Sequence, residues 1–292
     1  MTGMSTNQAA VHGKWNLPHT FMYQNRQIRY GIIGEGDPLV LLHGTPFSSV
    51  VWRRIAPWLA HHRRVHYFDL LGYGCSEKPN GDVSLGIQNK VFAALLDHWR
   101  LDRPDVIAHD FGGSTALRTH LLDGRDYRSL VLIDPVAIGP SGSPFVQAAK
   151  DHQDVFASLP AYIHDALLRA YINGAVFNTL RSDEMQLYVD PWLADAGQAA
   201  FYRQIAQMSD RFTDEIEHRL GEMRCPTTIL WGQDDDWIPV SRGEELARRI
   251  PGAGFAVVPR AKHLVQEDAP EAIVATALSF WKTLGPSRGS GI

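Results

Sequence analysis

Residues 105–113 read Asp-Val-Ile-Ala-His-Asp-Phe-Gly-Gly, and the rest of the chain is best understood outward from them. Apolar residues lead into His109 and Asp110, two glycines follow, and Ser-Thr-Ala-Leu-Arg continues as a helix former. A short strand that turns abruptly into a helix holds its apex residue in a strained conformation, and small neighbours let other backbone come close. Asp110 stands at that apex. An Asp at a helix start is also an ordinary N-cap, so its meaning depends on what surrounds it.

What surrounds it is a regular alternation. Short apolar runs at 38–42, 65–70, 105–109, 130–133, 227–231 and 254–258 read as strands buried on both faces, as in a parallel sheet. Between them, residues 50–60, 85–99, 112–122, 242–250 and 270–281 mostly carry apolar side chains at three- and four-residue spacing, the mark of helices with one buried stripe. Parallel neighbours need crossover helices, and these cover both sheet faces, so the architecture is a doubly wound, mostly parallel sheet. Apolar residues on both sides of a Gln-Asn-Arg turn in 20–31 add an edge hairpin. From 136 to 220 the alternation stops: segments 145–157, 161–171 and 198–208 read as helices, and no buried strand is evident. This predicts a core of 1–135 and 221–292 with a helical cap, 136–220, inserted between its halves. The residues before about His19 read as a loose polar arm, and the Pro-Ser-Arg-Gly-Ser-Gly-Ile end as frayed.

Composition narrows the class. In 292 residues, 45% hydrophobic content supplies ample core, and a net charge of −4 without long charge runs predicts neither nucleic-acid nor membrane partners. Cys75 and Cys225 lie far apart, without metal-ligand spacing, which suits a reducing cytoplasm and predicts neither disulfide nor zinc. The expected partner is a neutral or modestly polar small molecule, handled by a monomer or homodimer without metal or organic cofactor.

Three further motifs fit Asp110. His43-Gly-Thr-Pro46 follows a buried strand; Trp231-Gly-Gln-Asp-Asp-Asp-Trp-Ile-Pro239 follows another; His263 lies between the last strand and the last helix. Together with the elbow, in which Ala108 and Gly112 stand at the glycines of Gly-x-nucleophile-x-Gly, these resemble the α/β-hydrolase superfamily over almost the whole chain, loosely only in the cap. The resemblance is to its aspartate-nucleophile branch of epoxide hydrolases and haloalkane or haloacetate dehalogenases, and it implies an eight-stranded sheet. It also implies that Asp110 attacks sp³ carbon to give an ester, which carboxylates can do and which water can then cleave. His263 would deprotonate that water and Asp235 would orient the imidazole. Asp134, in Leu-Ile-Asp-Pro, is the rival acid, because some dehalogenases of this branch place theirs there. The backbone N–H groups of Thr45 and Phe111 would form the oxyanion hole. His43, Pro46 and Trp52 would complete the pocket wall, His43 chiefly as a structural hydrogen-bonding residue.

The leaving group is set by the remaining side chains. Similar haloalkane dehalogenases use Trp after the nucleophile, and Asn after His-Gly or a cap Trp, to bind halide; haloacetate dehalogenases often place Arg after the nucleophile. Here those positions hold Phe111 and Thr45, which offer neither indole N–H nor charge. Epoxide opening needs an acid, supplied in the resembling family by cap tyrosines. Tyr202 stands at about the family position, and Tyr162 is chosen from Tyr162, Tyr171 and Tyr188 as its companion, with His152 and His164 as substitutes. The expected activity is epoxide hydrolysis to a vicinal diol. The alternative is dehalogenation of an alkyl halide or haloacid by the same nucleophile. From a different class comes a non-catalytic ligand-binding relative, against which the complete motif set argues.

Overall fold

The computed structural model describes residues 15–194 and 196–285. The expectations for the polar arm before residue 15 and for the frayed end lie outside them. Eight strands form one sheet: β1 (His19–Tyr23), β2 (Arg26–Ile33), β3 (Pro38–Leu42), β4 (Arg64–Phe68), β5 (Asp105–His109), β6 (Ser129–Ile133), β7 (Thr227–Gly232) and β8 (Gly254–Val258). Their order is β1-β2-β4-β3-β5-β6-β7-β8, with β2 antiparallel to both of its neighbours and every other pair parallel. The predicted α/β-hydrolase sheet is therefore the observed one.

Burial follows position in that order. Every residue of β5 and β6 is buried, as expected for strands covered on both faces. β8 departs from the expectation: it is the sheet edge, with only Val258 buried and Val257 exposed. The core helices are α1 (Ala56–Leu59), α2 (Leu85–Trp99) and α3 (Phe111–Leu121) before the cap. After it come α10 (Val240–Arg249), α11 (Val265–Asp268) and α12 (Pro270–Leu284). On α12 the buried Ile273, Ala277 and Trp281 recur every four residues, which is the helical stripe facing the sheet. The helix expected over 50–60 is instead a 3₁₀ turn, Ser49–Trp52, and the short α1 with Pro57 in its first turn. Proline lacks the N–H and crowds the preceding turn, so it suits the first turn of a helix and disrupts the interior.

Between β6 and β7 the chain inserts six helices among the described residues: α4 (Pro144–Asp151), α5 (Gln153–Ala157), α6 (Ala161–Gly174), α7 (Ser182–Leu193), α8 (Gly197–Ala206) and α9 (Arg211–Glu217). Helices α7 and α9 were not legible in the sequence. The former carries Pro191 inside its last turn, which masks its periodicity. A partly buried ionic cluster fastens this cap to the core. Arg53 and Arg54, beyond the 3₁₀ turn, pair with Glu267 of α11 and with Glu184 of α7, and Tyr188 of α7 donates to Glu267.

Candidate active site

The strands deliver their side chains to one place because β3, β5, β6 and β7 are consecutive in the sheet and parallel, so their C-terminal ends form one rim. At the centre of that rim is Asp110, with φ 50° and ψ −119°, the strained apex that the sequence implied. The backbone locks it there: its N–H donates to Ile133 O at 3.1 Å, and its carbonyl accepts from Gly113 N at 2.9 Å. Two glycines make room. A Cβ on Gly112 would lie 2.6 Å from the carbonyl oxygens of Leu42 and His43, and one on Gly44 would collide with the Asp110 side chain.

The closeness at Gly44 brings the next residue into contact with the carboxylate. Thr45 N donates to Asp110 Oδ2 at 2.8 Å. Phe111 is the first residue of α3, where backbone N–H groups have no partner within the helix, and it lines the cavity. The Thr45–Pro46 bond is cis. His43 is structural: its Nε2 accepts from Leu70 N at 2.9 Å, so Nδ1 carries the proton and donates to Gly44 O at 2.9 Å. Burial pushes its imidazole down, consistent with a neutral ring.

On the other side of Asp110, His263 Nε2 lies 3.4 Å from Oδ1, while Nδ1 is 2.9 Å from Asp235 Oδ2. The remaining Asp235 oxygen, Oδ1, accepts from Trp237 N at 2.8 Å and Ile238 N at 3.0 Å, so the acid is oriented before it meets the imidazole. Burial pulls the His263 pKa down, but the adjacent Asp235 and Asp110 carboxylates outweigh it and hold the imidazolium well above the ordinary histidine range. His109, which the sequence reading passed over, supports the same residue. Its Nε2 donates to His263 O at 2.9 Å, and burial lowers its pKa to about 3, so its ring is neutral. The signal was its place immediately before Asp110.

Asp134 ends β6 with φ 42° and accepts from Gly232 N at 2.8 Å, on the flank of this array. Burial, and then the charge of Asp235, raise its carboxyl well above the usual range. No hydrogen bond joins it to His263, whose Nδ1 is taken by Asp235.

A cavity of about 50 Å³ opens over Asp110 and His263, walled by Phe111, Val136, Val146, Met208, Trp237 and Ile238, with Tyr171 from α6 and Ser141 to Ser143 from the cap entrance. No lysine or arginine is among the described lining residues. Tyr171 stacks on Trp237 with ring centroids 4.3 Å apart, and Trp237 is 5.0 Å from the His263 ring. Burial, and then the Asp110 carboxylate, raise the Tyr171 phenol, which keeps it protonated. A wider, open depression of about 390 Å³, beside His62, Arg63 and Trp281, lies at the opposite ends of the strands and has only basic titratable groups in its wall.

The cap residues chosen from sequence fall elsewhere. Tyr202 is buried in the cap, its hydroxyl 3.0 Å from His164 Nδ1, and outside the cavity wall. Tyr162 is 73% exposed on the outer surface of α6, and His152 is exposed. Tyr188 serves the ionic cluster. Trp52 is wholly buried, away from the rim, and Pro46 meets the cap through its carbonyl, which accepts from Trp192 Nε1 at 2.7 Å. The cavity tyrosine is Tyr171. Gln204 of α8 reaches Thr45, and neither residue was singled out by spacing.

Among the described residues no group of three or more His, Cys, Asp or Glu could hold a metal ion, and no helix is long and apolar enough to cross a membrane. A rim of parallel strands carrying Asp110, His263 and Asp235 beneath a helical insert defines an α/β hydrolase. The alpha/beta hydrolase family model matches residues 39–276, and the chain belongs to that family. An alpha/beta hydrolase fold protein from Burkholderia ambifaria is 55% identical, with a TM-score of 0.89 over 91% of this chain and 98% of that one. The 2-hydroxy-6-oxo-2,4-heptadienoate hydrolase of Pseudomonas putida is 28% identical over 243 residues, 80% of this chain and 85% of its own. The epoxide hydrolase CorEH shares the fold at 22% identity, with a TM-score of 0.79 over 91% of this chain and 99% of its own.

Proposed function

We propose that this hydrolase opens a small uncharged epoxide through an ester on Asp110 and releases a vicinal diol. The observation that carries the reading is the division of labour between the two Asp110 oxygens. Oδ2 is bound by Thr45 N, while Oδ1 faces the cavity side next to His263. Oδ1 attacks an epoxide carbon, the C–O bond breaks, and Tyr171 gives its proton to the departing oxygen. This makes Tyr171 the acid in place of Tyr202 and Tyr162. His263 then takes a proton from water as the water attacks the ester carbonyl. The negative charge that develops on Oδ2 is met by the N–H groups of Thr45 and Phe111. Collapse expels the alkoxide of the product, which recovers a proton from His263; the second proton of the water, left on the regenerated Asp110 carboxyl, returns through product or solvent to the Tyr171 phenolate, and Asp235 stabilises the imidazolium throughout.

Ester formation also prepares the second step. It removes the Asp110 charge, one of the influences that raise His263, so the imidazole becomes a better proton acceptor while its carbonyl target is created.

The substrate's lack of charge is argued from the wall. The curated relative from Pseudomonas putida acts, by its name, on a dienoate, and haloacids are carboxylates too. A carboxylate drawn from water into this cavity would meet the Asp110 charge, and the one cation in the described wall, the His263 imidazolium, is already shared between Asp110 and Asp235, so entry would cost several kcal/mol. Dehalogenation of a neutral alkyl halide is the second reading, favoured by the presence of Trp237, an indole-bearing side chain, among the cavity-lining residues. A non-catalytic binder has no use for a strained Asp110 paired with an oriented His263.

Mass spectrometry of the intact His263→Gln protein tests the proposal, because the ester should form and persist. After incubation with 1,2-epoxybutane or styrene oxide, the adduct should weigh the whole epoxide and map to Asp110. An alkyl adduct from bromoalkanes alone, with bromide released, would replace the epoxide reading by the second one. No adduct from either panel would remove the nucleophile.

A further inference from the structure

Gln204 is a wholly buried amide at the seam between cap and core, and its bonding is one-sided. Its Oε1 accepts from Thr45 Oγ1 at 2.7 Å and from Tyr73 OH at 2.9 Å, while Nε2 has no partner among the described residues. Leaving a buried donor unmade is costly, and the fold tolerates such a group where it serves a purpose. Thr45 is the residue whose backbone N–H points at Asp110 Oδ2. Its loop is gripped by the cap a second time, through Trp192 Nε1 on the carbonyl of Pro46. Two cap helices, α7 and α8, thus hold consecutive residues of the loop that carries the oxyanion donor.

We propose that Gln204 is a positioning residue: by anchoring the Thr45 hydroxyl it aims the Thr45 N–H at the Asp110 oxygen on which negative charge develops, and so sets the rate of ester hydrolysis. The inference rests on the ester mechanism proposed above. A glutamate could accept the same two hydroxyl bonds, but it would place a second negative charge near Asp110 and the forming oxyanion. The neutral amide avoids that repulsion. Tyr73 fixes the amide's rotation by occupying the second lone pair of Oε1. The coupling is selective by step, because ester formation draws charge away from Oδ2 whereas ester hydrolysis returns it there as a full oxyanion.

The test is a double-mutant cycle read by rapid-quench mass spectrometry with 1,2-epoxybutane. Gln204→Leu should leave ester formation almost unchanged and slow ester breakdown roughly tenfold to a hundredfold, the range for a misaimed oxyanion donor. In a Thr45→Val background, which lacks the anchored hydroxyl but keeps the N–H, Gln204→Leu should slow breakdown no further. Unchanged breakdown in the single variant, or a full additional loss in the Thr45→Val background, overturns the proposal. If Gln204→Leu does not fold, Thr45→Val against Thr45→Ser carries the same comparison. Serine keeps the hydroxyl and should restore the rate, and equal rates for the two overturn the proposal. Absence of any ester in these proteins and in His263→Gln would instead sink the mechanism on which it rests.

Discussion

Replacing Asp235 by Asn should stall the enzyme at the ester, and the hydrogen bonds around the carboxylate indicate how severely. Oδ1 accepts from two backbone donors, Trp237 N and Ile238 N, and Oδ2 accepts from His263 Nδ1. In Asp235→Asn the carboxamide oxygen must stay on the backbone pair, which turns the amide NH₂ toward His263 and drives the imidazole proton to Nε2. That tautomer cannot take a proton from water. Flipping the amide would restore the tautomer but leave two buried donors facing an NH₂ group, at about 1–3 kcal/mol each. A penalty of about 2–6 kcal/mol leaves only a small productive fraction, so ester breakdown should slow by about 30-fold to 10⁴-fold. Ester formation, which uses Asp110 and an acid on the cap side, should continue. The assay is the rise and decay of the adduct mass after rapid quench. Wild-type decay in Asp235→Asn would refute the reasoning, and decisively so if Asp134→Asn stalled instead. Asp134→Asn should be mild, because burial and the neighbouring Asp235 already favour a neutral group at that position.

Four other outcomes are expected. Tyr171→Phe should slow ester formation from epoxides by about 100-fold, as loss of a general acid does, and spare ester breakdown; Tyr202→Phe should cost only about 1 kcal/mol of stability, measured by urea unfolding, through its bond to His164. Removing the Asp110 charge should lower the His263 pKa, since that charge stabilises the imidazolium: an imidazole NMR titration of Asp110→Asn should lie below wild type, and a rise would contradict the geometry. Gly44→Ala should retain the fold yet lose about 100-fold or more in turnover, because the new methyl group must push Thr45 away from Asp110, and near-normal turnover would show that the close approach is dispensable.

The core, and the residues gathered at its rim, were readable because each depends on a local pattern. A buried strand announces itself by its apolar run, and the residue just beyond the strand end is fixed in space by the sheet. Asp110, Thr45, Asp235 and His263 all lie at such ends. The cap offers no equivalent frame, since a residue's direction there depends on how one helix rolls against the next. Tyr202 and Gln204 illustrate the difference. Two residues apart on α8, they point to nearly opposite sides, Tyr202 toward His164 and Gln204 toward the core loop. Sequence distance therefore selected a side chain that lies outside the cavity wall. Tyr171 was visible as one tyrosine among several, and only the packing of α6 against Trp237 distinguishes it. Likewise the apolar run of β8 resembled a buried strand because edge position leaves little trace in five residues.

The fixed inequality of the two Asp110 oxygens also makes the protein a recorder of its own turnover. If Thr45 keeps Oδ2 from exchanging places with Oδ1, the oxygen given to the product always comes from Oδ1, and the vacancy is refilled from solvent. In heavy-oxygen water the first diol released should then carry the old, light oxygen of the protein, and only later molecules the isotope. The side chain itself should stop at a single heavy atom however long the reaction runs, whereas a freely rotating carboxylate would become doubly labelled.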